Sequence, residues 1–361
     1  MNPGERLAAL EGLRGYAAFL VFLVHAFGLL LARVYGVDAD GTWVMGDTSF
    51  ARLVAVFLFR SHYGVDLFFV LSGLLMADLA LRRWPGTGRF LARRLVRIYP
   101  AYAVAAIIAA LVTVAWFGGT LTPGTVAGNV FLLQGFFALG IPALNPVSWS
   151  LSYEMAFYLL VPLLALAWRA CGGRAPPSAR FALAIALIAI IVCAALVPVA
   201  KGIYFAYFAL FIPGIASGLL DDAARERAAR AVPLSLVAFA WIAFTLAVKL
   251  GFLSNLQPAY YCASGIAGGL VVLKACDASG PLARGLSAPV PRWLGKYSYS
   301  FFLIHYVVMH AWGEALARFI PAAGSAAYAV LFLVGALGLS LVAARLLYAV
   351  AESFYFRSPR R

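Results

Sequence analysis

The chain has 361 residues, of which 64% are hydrophobic and only 12% are charged. Soluble globular proteins are about half apolar and about one quarter charged, so this composition excludes an ordinary soluble enzyme. The net charge of +14 suggests a nucleic-acid-binding protein at first. However, the basic residues lie mostly in alternate loops between apolar segments, which is typical of membrane topology. We therefore expect the lipid bilayer and anionic small molecules, and not nucleic acid, as partners.

Long apolar segments recur along the whole chain, and each is long enough to cross the hydrocarbon core as a helix. The pattern predicts an all-α polytopic membrane protein, a single domain over 1–361 with about ten spans. These spans lie near 12–34, 62–81, 95–117, 149–169, 180–200, 203–220, 231–250, 257–275, 297–319 and 325–350. Two shorter apolar segments, 51–60 and 127–139, predict half-helices or interfacial helices.

The distribution of Lys and Arg predicts the orientation of these spans. If the N-terminus is cytoplasmic, 21 basic residues lie on that side and 6 on the opposite side, with Arg345 inside the last span. Cytoplasmic loops carry the excess of Lys and Arg, so both termini are predicted to be cytoplasmic. An even number of spans agrees with this orientation.

The first span carries the pair of residues around which the function is predicted. Arg14 and His25 are eleven positions apart, so both side chains leave one face of a helix, about 16 Å apart along its axis. An ionisable side chain inside a span is expensive and marks a functional site. Alternatively, His25 is a hydrogen-bonded bundle residue and Arg14 a topology anchor. We predict both as catalytic, with His25 as base or acyl carrier.

The second span begins HYGVDLFFVLSG, which places His62, Asp66 and Gly73 on one helix face. Asp66 should face the bundle interior and find a polar partner there. A structural ion pair or a helix cap would explain it equally well, but we predict a catalytic or proton-relay role. Gly73 and its neighbour Ser72 are typical of close helix packing in membranes.

The loop and helix start at 82–102 contain six arginines. Arg93, Arg94 and Arg97 are spaced so that they cluster on one helical face. The planar guanidinium fork suits phosphate oxygens, so these three residues are predicted to bind the anionic part of a cofactor or donor. A topology signal alone is the alternative.

The fourth span begins with polar and aromatic residues, in SWSLSYEMAFY at 148–158. Ser150 and Glu154 lie on one face, and Glu154 is predicted to point into a cavity near the outer end of its span as a catalytic residue. Trp149 and Tyr153 are either membrane-belt aromatics or a stacking surface for a sugar ring. We predict that Trp149, Ser150 and Tyr153 bind the substrate.

A second intramembrane imidazole, His305, lies in the segment LGKYSYSFFLIHY and is also assigned to the substrate site. The four cysteines show no metal-ligand spacing, and HExxH is absent, so no metal site is predicted. Walker A and GxSxG sequences are also absent. None of these patterns predicts an oligomeric state.

Five stretches together resemble the integral-membrane acyltransferase 3 family, bacterial O-acyltransferases that modify cell-surface polysaccharides. The matching stretches are RLAALEGLRGYAAFLVFLVH (6–25), YGVDLFFVLSGLL (63–75), RFLARRLVRIYPAY (89–102), SWSLSYEMAFYLLVPLL (148–164) and LGKYSYSFFLIHY (294–306). The resemblance implies a ten-helix fold in the bacterial inner membrane, an acyl-CoA donor on the cytoplasmic side and an acceptor hydroxyl on the far side. It places the family's Arg-x10-His motif at Arg14 and His25, and its Arg-x-x-Arg motif at Arg94 and Arg97.

The sequence also departs from the family pattern. Glu11 stands where the family often has Asp, and Met155 stands where a second acidic residue often follows Glu154. Some members carry a soluble esterase-like domain after the last span, and none is expected here.

We predict a membrane O-acyltransferase that moves an acyl group, most simply acetyl from acetyl-CoA, to a polysaccharide or glycolipid hydroxyl. The alternative is a non-enzymatic transporter or flippase for a lipid-linked sugar. Internal pseudo-symmetry between halves would favour the transporter, and the sequence shows none.

Overall fold

The computed structural model describes residues 3–36, 50–117, 121–170, 206–254 and 256–357, and every regular element in these ranges is helical. The first helices are α1 (Pro3–Tyr35), α2 (Phe50–Phe59), α3 (Gly64–Arg82), α4 (Thr87–Phe117), α5 (Pro123–Val130) and α6 (Trp149–Ala170). A second group follows after residue 205: α7 (Ala206–Ala209), α8 (Ile212–Leu219), α9 (Asp222–Ala231), α10 (Leu234–Lys249) and α11 (Pro258–Lys274). The last helices are α12 (Pro281–Leu286), α13 (Pro289–Ala317), α14 (Ala326–Ala351) and α15 (Ser353–Arg357).

Within the described ranges, five segments are long and apolar enough to cross a membrane. They are Leu7–Tyr35, Phe50–Arg82, Thr87–Ala115, Pro146–Ala170 and Ala326–Ala351. A sixth span would be formed by Ala206–Leu219 with Asp222–Ala231, which are bent by 110° at the break between them. The structure therefore supports a multi-pass membrane protein with five or six clear spans in its described part, fewer than the ten predicted.

The other predicted spans have identifiable reasons for falling short. The predicted span 180–200 lies outside the described residues. Helices α10 and α11 coincide with predicted spans but have only 16 and 17 residues. Helix α13 has 29 residues, but it is rich in Tyr, Ser and His, which lower its mean hydropathy. The count of ten and the cytoplasmic position of both termini stay predictions.

Helices α1 and α13 run in the same direction with their backbones in contact. Near the start of both helices, a Cβ added to Gly295 would lie 1.9 Å from the carbonyl oxygen of Glu11. Further along, Arg33 Nη2 donates to Glu314 Oε1 at 2.5 Å. Small residues let membrane helices approach closely and gain packing energy that lipid cannot supply. This contact fixes the position of α1, which carries Arg14 and His25.

The backbones of α3 and α8 are also in contact. A Cβ on Gly73 would lie 2.0 Å from the carbonyl oxygen of Phe211, and one on Gly214 would lie 1.9 Å from that of Val70. The close-packing role predicted for Gly73 is therefore confirmed. Side chains of α1, α3, α4, α6 and α13 together line a polar cavity.

Candidate active site

A cavity with a volume of about 110 Å³ lies among α1, α3, α4, α6 and α13. We call it the arginine cavity. Its polar lining consists of Arg14, Ser72, Arg94, Arg97, Ser150, Glu154, Tyr158 and Tyr299. Among the described residues, three guanidinium groups therefore share this cavity with one carboxylate. The excess of positive charge suits an anionic ligand, for which arginine provides paired donors.

Glu154 is held inside the arginine cavity by two hydroxyl groups. Ser72 Oγ donates to Glu154 Oε1 at 3.1 Å, and the Tyr158 hydroxyl donates to the same oxygen. The sequence placed Glu154 near an outer cavity with the aromatic residues, and the structure places it with the arginines instead. Glu154 leaves α6 on the face of Ser150, as predicted, and the packing of α6 against α3 turns this face towards the arginines.

Arg97 is paired with a carboxylate from the end of the chain. Arg97 Nη1 donates to Glu352 Oε1 at 2.7 Å, and Ser300 Oγ donates to Glu352 Oε2 at 2.6 Å. The Glu352 side chain is only 1% exposed. The Arg97 guanidinium also lies 4.9 Å from the centre of the Tyr299 ring, a distance at which a cation is attracted to the ring face. Arg97 thus lines the cavity with its charge already neutralised.

Replacing Glu352 with glutamine should destabilise the protein, because it removes the buried counter-charge of Arg97, whose own side chain is only 14% exposed. Breaking a buried ion pair by removing one partner costs about 3–5 kcal/mol. We expect a lower melting temperature in detergent by at least several degrees. Glu226→Gln is the matched control, because Glu226 pairs within one helix with Arg230, whose side chain is 59% exposed, and ion pairs open to solvent contribute about 0–1 kcal/mol. Equal small changes in both variants would show that the Arg97 pair does not stabilise the fold.

A basic groove continues from the arginine cavity along α4. It is lined by Leu79, Pro85, Arg89, Phe90, Ala92, Arg93, Arg94, Val96, Phe354, Tyr355 and Phe356. Arg94 belongs to the lining of both the groove and the cavity. Its guanidinium lies 5.7 Å from the centre of the Tyr158 ring on the cavity side, and its Nη2 donates to the Tyr355 hydroxyl at 3.5 Å. Of the predicted cluster, Arg93 lines the groove, Arg97 lines the cavity and Arg94 lines both.

A second cavity, the histidine cavity, lies further along α1. It is lined by Val21, Val24, His25, His62, Val65, Phe137, Trp149 and Tyr207. Trp149 and Tyr207 lie together in its wall, with ring centres 4.9 Å apart. Val65 lines this cavity and also the arginine cavity, so one side chain lies at the boundary between the two.

Arg14 and His25 therefore lie in different cavities, although they leave the same face of α1. Their separation of about 16 Å along the helix axis accounts for this difference. The helix presents a cation to one cavity and an imidazole to the other. A ligand that extends from the basic groove past Arg14 to Val65 would bring its end towards His25.

His25 is joined to a second imidazole behind it. His25 Nδ1 lies 2.9 Å from His305 Nε2, and His305 Nδ1 lies 3.0 Å from the carbonyl oxygen of Phe301. The His25 ring also makes a hydrogen bond with the backbone of Val21, and it lines the histidine cavity. His305 was predicted to bind substrate, but it is 0% exposed and does not line the cavities or the groove. The structure places it behind His25 and out of reach of a ligand.

Two other predicted site residues lie away from the cavities. Asp66 is 4% exposed, and its Oδ2 accepts hydrogen bonds from Tyr260 and Ser264, both at 2.6 Å. Two hydroxyl groups therefore satisfy Asp66, and not the counter-ion or the helix cap of the alternative interpretation. Tyr153 is buried in an aromatic cluster, with its ring centre 5.1 Å from that of Tyr207, and it supports the wall of the histidine cavity without lining it.

Sequence reasoning missed several residues of the site. Glu352 follows the last apolar span directly, and the rule that ionisable residues near spans are functional would have singled it out. Tyr299 and Ser72 have no comparable signal, since both are common in membrane helices. His62 was noted on the face of Asp66 but was not assigned to the site, and it lines the histidine cavity opposite α1.

The sequence of the chain matches a known protein family. A family model described as an acyltransferase domain (Acyl_transf_3) matches residues 7–345. The chain belongs to this acyltransferase family. The resemblance is thus confirmed over nearly the whole sequence. No solved structure matches the chain.

This acyltransferase is also similar to several curated proteins. It is 27% identical to acyltransferase MdmB of Streptomyces mycarofaciens in an alignment of 384 positions. This alignment covers 96% of this chain and 91% of MdmB. It is 24% identical over 290 residues to the peptidoglycan O-acetyltransferase OatA of Listeria monocytogenes, covering 68% of this chain and 44% of OatA. With nodulation protein 10 of Rhizobium leguminosarum it shares 29% identity over 181 residues, or 44% of each chain. The chain is therefore a multi-pass membrane acyltransferase.

Proposed function

We propose that this acyltransferase moves an acyl group, most simply acetyl, from acyl-CoA to a hydroxyl group of a cell-surface polysaccharide or lipid-linked sugar in the bacterial inner membrane. The observation that carries the proposal is that Val65 lines both the arginine cavity and the histidine cavity, so the two cavities are neighbours. The name of OatA, a peptidoglycan O-acetyltransferase, supports acetyl as the acyl group and a glycan as the acceptor.

The donor half of the proposal rests on charge. CoA carries several phosphate oxygens, and Arg89, Arg93 and Arg94 line the groove where they would bind. Because Arg94 lines both spaces, the pantetheine arm would pass it into the arginine cavity. Arg14 would then lie beside the pantetheine arm and orient the donor, and the thioester beyond it would reach Val65 and the histidine cavity. This face of the protein would be cytoplasmic, as the distribution of Lys and Arg predicts.

The acceptor half rests on the histidine cavity. The rings of Trp149 and Tyr207 provide an apolar surface on which a sugar ring can stack, and the acceptor hydroxyl would lie beside His25. His25 Nε2 either removes the hydroxyl proton or takes the acyl group first. In the direct reaction, the hydroxyl oxygen attacks the thioester carbonyl carbon and the carbon–sulfur bond breaks. The proton held on Nε2 then passes to the CoA thiolate.

Arg94→Ala should weaken the binding of acetyl-CoA by about tenfold or more, because it removes charge-assisted hydrogen bonds to the donor. The affinity of the variant should also depend less on salt concentration. Isothermal titration of the purified protein in detergent at two salt concentrations measures both effects. Arg227→Ala is the control, because Arg227 is exposed on α9 and lines neither cavity nor groove. Unchanged binding by Arg94→Ala would leave these arginines as topology signals.

Thermal stability distinguishes an acyltransferase from a sugar flippase. A ligand that binds only the folded state stabilises it by mass action, by about 2.7 kcal/mol at a concentration of 100 Kd. We expect acetyl-CoA and CoA to raise the melting temperature of the protein, whereas a flippase for lipid-linked sugars has no site for either. No response to CoA, together with stabilisation by a lipid-linked sugar, would favour the flippase.

A further inference from the structure

We propose that His305 is a positioning residue, which holds His25 in the one neutral tautomer that leaves its Nε2 lone pair facing the histidine cavity. The inference rests on the proposed function for the use of that lone pair. It does not require His305 to touch either substrate, and the structure keeps it away from both cavities.

The order of donors and acceptors determines the tautomers. The carbonyl oxygen of Phe301 only accepts, so His305 Nδ1, at 3.0 Å, must carry a hydrogen. A neutral His305 then has its lone pair on Nε2. Because His25 Nδ1 lies 2.9 Å from that nitrogen, it must donate. The remaining nitrogen of a neutral His25 is Nε2, and it has no hydrogen.

The surroundings of His305 keep its ring neutral. The ring is fully buried and packs against Phe22, Phe301 and Phe302, with ring centres 5.8 to 6.3 Å away. These rings offer no counter-charge, and burying an unpaired charge is costly. A neutral His305 with Nδ1 committed to Phe301 can serve His25 only as an acceptor.

This arrangement suits both steps that the proposed function asks of His25. When Nε2 takes the proton of the acceptor hydroxyl, His25 becomes positively charged and its Nδ1–H continues to donate to His305 without rearranging. In the other tautomer, Nε2 would carry a hydrogen towards the acceptor and could neither remove a proton nor attack the thioester. The partner of one ring nitrogen thus decides the role of the other.

Two variants of similar polarity test this role. In His305→Gln, the side chain is long enough to place an amide oxygen where His305 Nε2 lies, so it can still accept from His25. In His305→Asn, the shorter side chain reaches the position of Nδ1 and can bond Phe301, but it removes the acceptor that His305 Nε2 provides to His25. We expect His305→Asn to lower kcat at least about tenfold, out of the ~10²–10⁴-fold contribution of a general base. The KM for acetyl-CoA should not change, and His305→Gln should recover most of the lost kcat.

Nuclear magnetic resonance measures the tautomer without reference to activity. The chain has only four histidines, so protein labelled with ¹⁵N only at histidine gives few ring signals, and single substitutions assign them. Protonated and unprotonated ring nitrogens resonate far apart. We expect His25 in the wild type and in His305→Gln to show Nδ1 protonated and Nε2 unprotonated. His305→Asn should show a mixture of the two tautomers.

The outcomes separate this inference from the proposed function. If His25→Ala is inactive while His305→Asn keeps both full kcat and the Nδ1–H tautomer, the positioning role is wrong and the proposed function stands. An Nε2–H signal for His25 in the wild type would overturn the positioning role directly. Full activity of His25→Ala would refute the proposed function whatever His305 does. Equal loss of kcat in His305→Gln and His305→Asn, with the same tautomer in both, would reduce His305 to a packing residue.

Discussion

Replacing His25 with alanine is expected to abolish acyl transfer while leaving the binding of acetyl-CoA unchanged. His25 lines the histidine cavity, and the arginines that would bind the donor line the other cavity and the groove. A general base contributes about 10²–10⁴-fold to the rate, and a residue that also carried the acyl group would contribute more. CoA release with an acceptor glycan present measures transfer, and titration calorimetry measures donor binding.

The matched control for His25→Ala is His310→Gln. His310 lies on α13 and its ring contacts Tyr306, with ring centres 4.4 Å apart, but it lines neither cavity. Its variant should retain transfer within a few-fold of the wild type. Turnover by His25→Ala close to the wild-type value would remove the central claim about this protein. Loss of donor binding in the same variant would instead show that the two cavities are not separate in function.

Replacing Gly295 with alanine is expected to destabilise the protein and to reduce transfer together. The added Cβ would lie 1.9 Å from the carbonyl oxygen of Glu11 and 2.6 Å from its carbonyl carbon. Both are backbone atoms, so only movement of α1 away from α13 relieves the clash. Overpacking a well-packed contact typically costs about 1–3 kcal/mol. The same movement would lengthen the 2.9 Å contact between His25 and His305.

Gly338→Ala isolates this effect from helix propensity. Gly338 lies in α14, and a Cβ there would have nothing within 4 Å. Alanine is the better helix former by about 1 kcal/mol, so this variant should be as stable as the wild type or slightly more stable. Thermal unfolding in detergent and the ¹⁵N signals of His25 and His305 are the measurements. If Gly295→Ala behaves like Gly338→Ala, the two helices are not held together at this contact.

Local sequence predicted the site residues that belong to one helix. Arg14 and His25 are related by helical geometry alone, and the structure keeps them on α1, facing two cavities. The cluster of Arg94 and Arg97 on α4 follows from the same geometry. For a segment already known to be helical, spacing determines which side chains share a face. The five motifs likewise sufficed to indicate the family that the comparison confirms.

Contacts between distant segments could not be predicted in this way. The hydrogen bond between His25 and His305 joins residues 280 positions apart, and the ion pair of Arg97 and Glu352 joins residues 255 positions apart. Glu154 was expected beside the aromatic acceptor surface, and only the rotation of α6 against α3 shows that it lies with the arginines. Each of these contacts depends on how one helix is rotated and shifted against another.

By itself, the sequence determined that this protein is a membrane-embedded helical acyltransferase and placed a cation and an imidazole on one face of its first helix. Composition and helical periodicity are properties of single segments, and they are independent of how the segments pack. The tertiary structure decided which residues meet. It paired Arg97 with the carboxylate of Glu352, separated the arginine cavity from the histidine cavity, and placed a second imidazole behind His25. Backbone contacts at Gly295, Gly73 and Gly214 set those positions, because there the helices approach until only a hydrogen atom fits between them.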